Sequence, residues 1–345
     1  MDKVLITGAT GHLGANLVRD RVAAGDTVRV LLRPGSDEAA VAGLAIERAY
    51  ADLRDPAAVR AAVRGCRRVY HCAAKISTVS GGEREIHEVN VLGTRNVLEA
   101  ARAEDVERVV VTGSFGAVGD VPGAPCDEST PFYPFEAHTA YAHTKVLVEL
   151  ETLRAFAAGL DTILAISCGI LGPHDFMPSR MGKLMCDFAH GRLPGYLPGG
   201  FEAVASRDIV AGHVLAMETG RPGDRYLFSS EYLSMDQLMA LLEQLTGARR
   251  PRLRLPPRLV TGISRFSSPV LARLSPERQQ LFTPAAVRVL TLSRRADCTK
   301  ARTELGFRPT SVADAVREAY DDFVRRGLIQ PRGRTASREV PYGTP

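Results

Sequence analysis

From residue 3 to about residue 170, short apolar runs rich in β-branched residues alternate with segments of helical period. The apolar runs fall at 3–7, 27–32, 45–50, 68–72, 108–112 and 161–167, and the helix-period segments at 12–24, 37–43, 56–64, 83–104 and 136–158. Within the runs, VLI, VRVLL and RVVV are near-continuously apolar, as strands are when both faces of their sheet are covered. Such alternation predicts an α/β fold on a doubly wound parallel sheet with right-handed crossovers. Past residue 170 the texture changes to loops punctuated by Gly and Pro, with separate helices expected at 206–218 and 234–246. The expected division is an α/β domain over 1–170, a smaller part over 171–328 that interleaves with it, and a disordered tail over 329–345.

Composition narrows the class. The chain has 345 residues, 45% hydrophobic and 24% charged, with a formal net charge of +5, which suits one large or two small folded domains. No apolar stretch reaches the ~20 residues a membrane-spanning helix needs, and the N-terminus enters a strand pattern at once rather than a secretory signal. Six cysteines (Cys66, Cys72, Cys126, Cys168, Cys186, Cys298) form no C-x-x-C pair, so neither a structural metal nor a disulfide scaffold is expected, and a cytoplasmic location fits reduced thiols. Residues 249–302 hold 13 Lys and Arg against two acids, Glu277 and Asp297. A solvated basic face is the favoured reading of that segment and nucleic acid is not expected as a partner; the less favoured alternatives are a site for an anionic ligand and, for Leu259, Ile263, Phe266 and Leu271 within 257–273, membrane contact or closure over the substrate.

The segment Thr7-Gly8-Ala9-Thr10-Gly11-His12-Leu13-Gly14 lies between the first strand and the first helix, which is the context a dinucleotide-binding turn requires. Glycines permit positive φ and close backbone approach, and the free N–H groups of the helix start attract a pyrophosphate. At the end of the second strand an NAD-preferring site would carry a carboxylate for the ribose hydroxyls. This chain has Arg33 there, whose guanidinium suits a 2′-phosphate, so NADP(H) is preferred and NAD(H) is the alternative. Asp52 and Leu53, after the third strand, are placed to touch the adenine, although Asp52 could equally cap the helix beginning near Pro56.

Tyr141 and Lys145 sit four apart on a predicted helix and so share a face. A free phenol has a pKa of ~10, and a neighbouring ammonium is expected to lower it and let Tyr141 exchange a proton near neutrality. With nine tyrosines and five lysines in the chain, a Tyr-x-x-x-Lys is expected by chance only about 0.13 times. Ser114 closes the fifth strand, whose C-terminal end opens on the ligand crevice, and can orient a carbonyl beside the tyrosine. Gly113 and Gly116 do not complete a nucleophile elbow around it. Phe115, Phe132, Tyr133, Phe135, Ile170, Phe176, Met177 and Tyr196 fall in segments expected to line an apolar pocket, with Lys75 and Arg180 as candidates for a polar group on the substrate.

TGATGHLG, DLRD at 52–55, HCAA at 71–74, NVLGTRNVLEAA at 90–101, Ser114 and YAHTK occur in the order seen in extended or atypical short-chain dehydrogenases/reductases, which the chain therefore resembles. LGPHD, RDIVAGHVLAME, GDRYLFSSEYLS and ARTELGFRPTS carry the similarity to about residue 328. The chain is most similar to the dihydroflavonol-reductase-like group and to relatives labelled hopanoid-associated sugar epimerases. The resemblance implies a Rossmann domain with Gly8, Gly11 and Gly14 at the pyrophosphate, Arg33 at the 2′-phosphate, Ala73 and Ala74 beside the cofactor ribose, and Lys145 on the nicotinamide ribose. It further implies that Cys168, Gly169 and Ile170 touch the cofactor, that Asn90 supports the helix facing the site, and that the protein is commonly a homodimer. The expected activity is reduction of a ketone or aldehyde on an apolar, cyclic small molecule. Tyr141 is the expected general acid. The competing readings are a nucleotide-sugar epimerase or dehydratase with retained NAD, and a non-catalytic NADP(H)-binding redox sensor.

Overall fold

The computed structural model describes residues 2–76, 82–121, 123–132, 139–274 and 283–331. Seven parallel strands form the main sheet: β1 (Lys3–Thr7), β2 (Thr27–Leu32), β3 (Glu47–Tyr50), β4 (Arg68–His71), β5 (Arg108–Ser114), β6 (Thr162–Ser167) and, from farther along the chain, β9 (Arg225–Phe228). Their order is β3-β2-β1-β4-β5-β6-β9, so the direction of winding reverses between β1 and β4. Ligands bind at that switch point in sheets of this kind, outside the carboxyl ends of the strands. β7 (Gly169–Leu171), β8 (Gly200–Ala205) and β10 (Glu231–Ser234) make a second, three-stranded sheet in the order β10-β8-β7.

The interior strands read as apolar runs because both of their faces are covered. Val4, Leu5, Ile6, Val109, Val110, Val111, Ile163 and Ile166 are all buried in one core. A second core gathers Leu171, Met185, Phe188, Leu238, Val316 and Phe323 beneath the small sheet. The boundary near residue 170 is crossed repeatedly: β9 closes the edge of the main sheet beside β6, and helix Ser206–Thr219 places Ile209, Val210, Ala216 and Met217 in the first core. Ile329 belongs to the second core, so the ordered chain runs through the start of the expected tail; residues 332–345 lie outside the described residues.

Several expected elements differ in detail. The segment 37–43 contains only a 3₁₀ turn, Ala39–Val41. The expected helix 83–104 is three pieces in continuous succession: Glu83–His87 and Gly93–Ala103 are α-helical, and Glu88–Leu92 between them is a π-helix. Helix Ala140–Ala157 begins on Thr139, whose hydroxyl accepts from the Ala142 N–H; the expected start at 136 lies outside the described residues. Among the described residues no helix is long and apolar enough to cross a membrane.

Candidate active site

The glycine turn is shaped by close packing at two of its glycines. Gly8 has φ +71°, and a Cβ on it would lie 2.7 Å from the Ala73 nitrogen. A Cβ on Gly14 would lie 2.1 Å from the Gly8 carbonyl oxygen. Neither neighbour can yield, because both are backbone. The packing at Gly8 brings the turn after β1 against Ala73, just beyond β4, and so closes the switch point. Helix His12–Ala23 starts on Gly11, and no side chain caps it, leaving its first N–H groups for an anion. Thr10 lies half-buried in the turn and Leu13 is buried beneath it. His12 instead reaches away, its Nε2 sharing a hydrogen bond with the Pro173 carbonyl at 3.1 Å.

Arg33 stands exposed just past β2. Asp52 does not cap the following helix: Asp55 does, accepting from the N–H groups of Ala57 and Ala58 at 3.1 Å each. Asp52 accepts from the Arg54 backbone and guanidinium at 2.7–2.9 Å, which holds its carboxyl down at about 2, with Arg33 adding to the field. The carboxylate nearest this end is therefore already engaged by one arginine and faced by another. Leu53 is buried, packed against Gly93, and its carbonyl accepts from Asn96.

A chain of buried hydrogen bonds joins this turn to the Tyr141 helix. Ala73 N–H donates to Thr7 Oγ1 at 3.2 Å, and Thr7 Oγ1 and His71 Nδ1 are 2.8 Å apart. His71 Nε2 is 2.9 Å from Thr94 Oγ1, which donates to the Asn90 carbonyl at 2.5 Å. With the Thr94 proton committed, its oxygen must accept, so His71 carries its proton on Nε2 and accepts from Thr7 on Nδ1. Burial agrees: it pushes His71 down to about 3, the neutral form at ordinary pH. Asn90 lies in the π-helix. Its amide oxygen accepts from Lys75 N–H at 2.7 Å, and its nitrogen donates to the Lys75 carbonyl at 3.0 Å and to Thr144 Oγ1 at 3.1 Å. Thr144 Oγ1 in turn donates to the Tyr141 carbonyl at 2.8 Å.

Ser114, Tyr141 and Lys145 come together as the motif spacing predicts. Ser114 ends β5 beside Ser167 of β6, and its Oγ accepts from Gly116 N–H and hydrogen-bonds the Tyr141 phenol. Gly113 is buried one residue earlier, where a Cβ would come within 3.1 Å of the Ile166 side chain, a tight contact that Ile166 would have to yield to. Lys145 is buried and donates from Nζ to the Thr112 carbonyl at 2.7 Å. The expected lowering of the phenol is not what this arrangement produces. Burial pushes Tyr141 up to about 12, the Ser114 hydrogen bond opposing it only in part, and burial pushes Lys145 down to about 8. Desolvation dominates, and Nζ donates to a backbone carbonyl, so the phenol stays protonated and able to donate.

Ser114 and Tyr141 face one end of a cavity of about 410 Å³. Phe115, Arg180 and Tyr196 line it as the sequence suggests, and so do Cys168 and Gly169, which the resemblance assigned to the cofactor. Ile170 packs on the first core instead. Phe132 sets its ring edge against His143 at 6.0 Å, and Phe176 is stacked among His174, Arg19 and Arg326, so neither lines the cavity. Met177 is exposed, and Lys75 pairs with Glu85 at 2.5 Å, away from the wall. Ala74 is half-buried beside Ala73; Tyr133 and Phe135 lie outside the described residues. The sequence reading missed Met181, Leu184, Phe201, Glu202, Met235 and Arg294, together with the helix Pro284–Leu292. Arg294 spans the wall, donating to the carbonyls of Val118 and Gly119 and lying 4.6 Å over the Phe115 ring. Its position beyond residue 290 gives no sequence signal of that contact.

The sequence profile of the NAD dependent epimerase/dehydratase family matches residues 4–227. Sterol demethylase protein B of Methylococcus capsulatus is 45% identical over 94% of this chain and 99% of its own length. The crystal structure of gox2253 superposes with a TM-score of 0.82 at 30% identity, covering 96% of this chain and all of that one. DesIV, a dTDP-glucose 4,6-dehydratase from Streptomyces venezuelae solved with NAD bound, matches with a TM-score of 0.77 at 25% identity over 95% and 99% of the two chains.

Proposed function

Because the chain belongs to the NAD dependent epimerase/dehydratase family and is an oxidoreductase of the NAD(P)-dependent short-chain type, we propose that it interconverts a ketone and an alcohol on an apolar, polycyclic small molecule, with NADPH as its preferred cofactor. The observation that carries this reading is the Ser114–Tyr141 pair at one end of a largely apolar cavity. About 410 Å³ falls within the usual range for small-molecule sites, roughly 300–1,000 Å³. A wall of Met181, Leu184, Leu197, Phe201 and Met235 offers a nucleotide sugar few polar partners, whereas it suits fused rings, and the sterol in the name of the 45%-identical relative agrees.

The glycine turn fits a pyrophosphate: its uncapped helix start supplies N–H donors, and Gly11 at that start is exposed. Arg33 faces the end where a 2′-phosphate would lie, with Asp52 neutralised by Arg54. When bound, NADPH supplies the hydride that adds to the carbonyl carbon. Tyr141 gives its phenolic proton to the oxygen as the carbonyl becomes an alcohol, and Ser114 holds that oxygen in place. Lys145 holds a positive charge beneath the site, fixed on the Thr112 carbonyl. Arg180, half-buried in the wall, meets the polar end of the substrate.

The test is to follow NADPH absorbance with steroid ketones, aromatic ketones and aldehydes. Tyr141→Phe is expected to lower turnover at least ~10²-fold while NADPH still binds. Full turnover in Tyr141→Phe, or NAD that stays bound through purification, overturns the proposal in favour of a different acid or a retained-cofactor epimerase.

A further inference from the structure

Residues 249–274 contain seven arginines and no acid. Two of the arginines are spent within the fold: Arg250 pairs with Glu243, and Arg254 with Asp236. Arg249, Arg252 and Arg258 are exposed and make no ion pair among the described residues. Among them stand apolar side chains that should be inside a folded protein. Leu253, Leu259 and Ile263 are each more than half exposed. Leu259 and Ile263 lie four apart on helix Pro257–Leu274, and so on one face, while its Val260 is buried against Val287 and Leu197. The first turns of the helix therefore carry apolar side chains on two faces: Val260 packs on the protein, and Leu259 and Ile263 stand exposed among the described residues. The side chains of Phe266 and Leu271 lie outside the described residues.

This surface adjoins the cavity. Helix Pro284–Leu292, which packs on helix Pro257–Leu274 through Val287, also lines the cavity with Val289, itself more than half exposed. Ile76 is a second exposed residue in the lining, so these two mark a mouth. Leu253 and Leu255 are joined to the wall as well: the Leu253 carbonyl accepts from Tyr196 N–H at 3.1 Å, and Leu255 N–H donates to the Tyr196 carbonyl at 2.8 Å. Exposed apolar side chains interleaved with unpaired cations are the composition of a surface that rests at the boundary of a bilayer containing anionic lipids: the leucines and isoleucine enter the acyl region and the arginines meet phosphate. A protein partner would need to bring an acidic surface of its own to answer the same arginines.

We propose that the segment 249–263 docks this protein on anionic membranes, placing the mouth of the cavity at the lipid surface. The docking stands apart from the reductase reading; only the entry of an apolar substrate from the bilayer rests on it. The test is flotation of the full chain with vesicles of phosphatidylcholine alone and of phosphatidylcholine mixed with phosphatidylglycerol. The protein is expected to float with the mixed vesicles, to be released by high salt, and to stay behind with phosphatidylcholine alone. Leu259→Glu with Ile263→Glu, and separately Arg249→Glu with Arg252→Glu and Arg258→Glu, should each weaken partition about tenfold or more. Thermal melting and NADPH binding should be unchanged, which separates lost docking from lost folding. Failure of the wild type to float with mixed vesicles overturns the proposal. So does flotation of both variants at the wild-type level, or a smaller assembly of the variants than of the wild type in light scattering while their vesicle binding persists, which would assign the face to a second copy of the chain.

Discussion

Lys145 shows how burial alone sets a working range. Its folded pKa of about 8 means the ammonium is present below that pH and lost above it. Carbonyl reduction should decline as pH rises through about 8, and Lys145→Arg should move the limb upward because a guanidinium keeps its charge; an unmoved limb in the pH profile would assign it to another group. Stability responds with the opposite sign. Between about 8 and the ordinary lysine value of ~10.4 the unfolded chain holds more protons than the folded one, so this group's penalty is relieved as pH rises. His71 and His213 are held neutral at about 3 and about 4, against ~6.5 unfolded, so both contribute stability above ~6.5 that is lost on acidification toward those values. Calorimetry from pH 7 to pH 4 should show Tm falling, with a shallower slope in His71→Gln. Gly14→Ala tests the turn: a Cβ 2.1 Å from a backbone oxygen should cost about 3 kcal/mol in denaturant melts and abolish NADPH binding, and a normal melt would show that the turn can open.

Among the elements, the π-helix Glu88–Leu92 has the clearest consequence. It turns Asn90 toward both Lys75 and Thr144, so one side chain ties the strand-end loop after β4 to the helix that carries Tyr141. Asn90→Leu leaves those partners unsatisfied and should lower stability by about 2–4 kcal/mol in chemical denaturation, with reduced turnover; unchanged stability would mean water replaces the amide. The sequence periodicity described 83–104 as one helix because a π turn shifts the apolar stripe by a single residue, too little for a pattern to register. Its one legible sign is a polar residue, Asn90, in the buried stripe. Two strands of the second sheet, β7 and β10, were invisible for a related reason. β7 spans three residues and β10 four, too short for an alternating pattern to separate from loop. The interior strands of the main sheet were legible because burial on both faces writes itself into uninterrupted apolar runs, whereas the edge strand β9, four residues long, was not read.

Taken whole, the molecule joins a nucleotide crevice to a cavity whose far wall comes from residues 180–294. The crevice could be read from local spacing: glycines between a strand and a helix, and a tyrosine four residues before a lysine. The cavity could not, since its wall is assembled from segments distant in the chain, and of the aromatic residues expected to line a pocket only Phe115 and Tyr196 reach it among the described residues. Cofactor preference is a property of the whole fold that melting can read. At a hundredfold excess over its Kd NADPH should stabilise the fold by about 2.7 kcal/mol, and the same concentration of NADH should raise Tm less. Arg33→Ala should erase the difference; equal shifts in the wild type would remove the 2′-phosphate role.

The seventh strand sets a limit on how the polypeptide can be cut. Truncation after residue 170 would strip β9 from β6 and leave the Leu164–Ser167 edge of the sheet with bare amides and carbonyls, a template for aggregation in the test tube. The smallest fragment able to stand alone must extend beyond Phe228, so the nucleotide half cannot be made without carrying part of its neighbour.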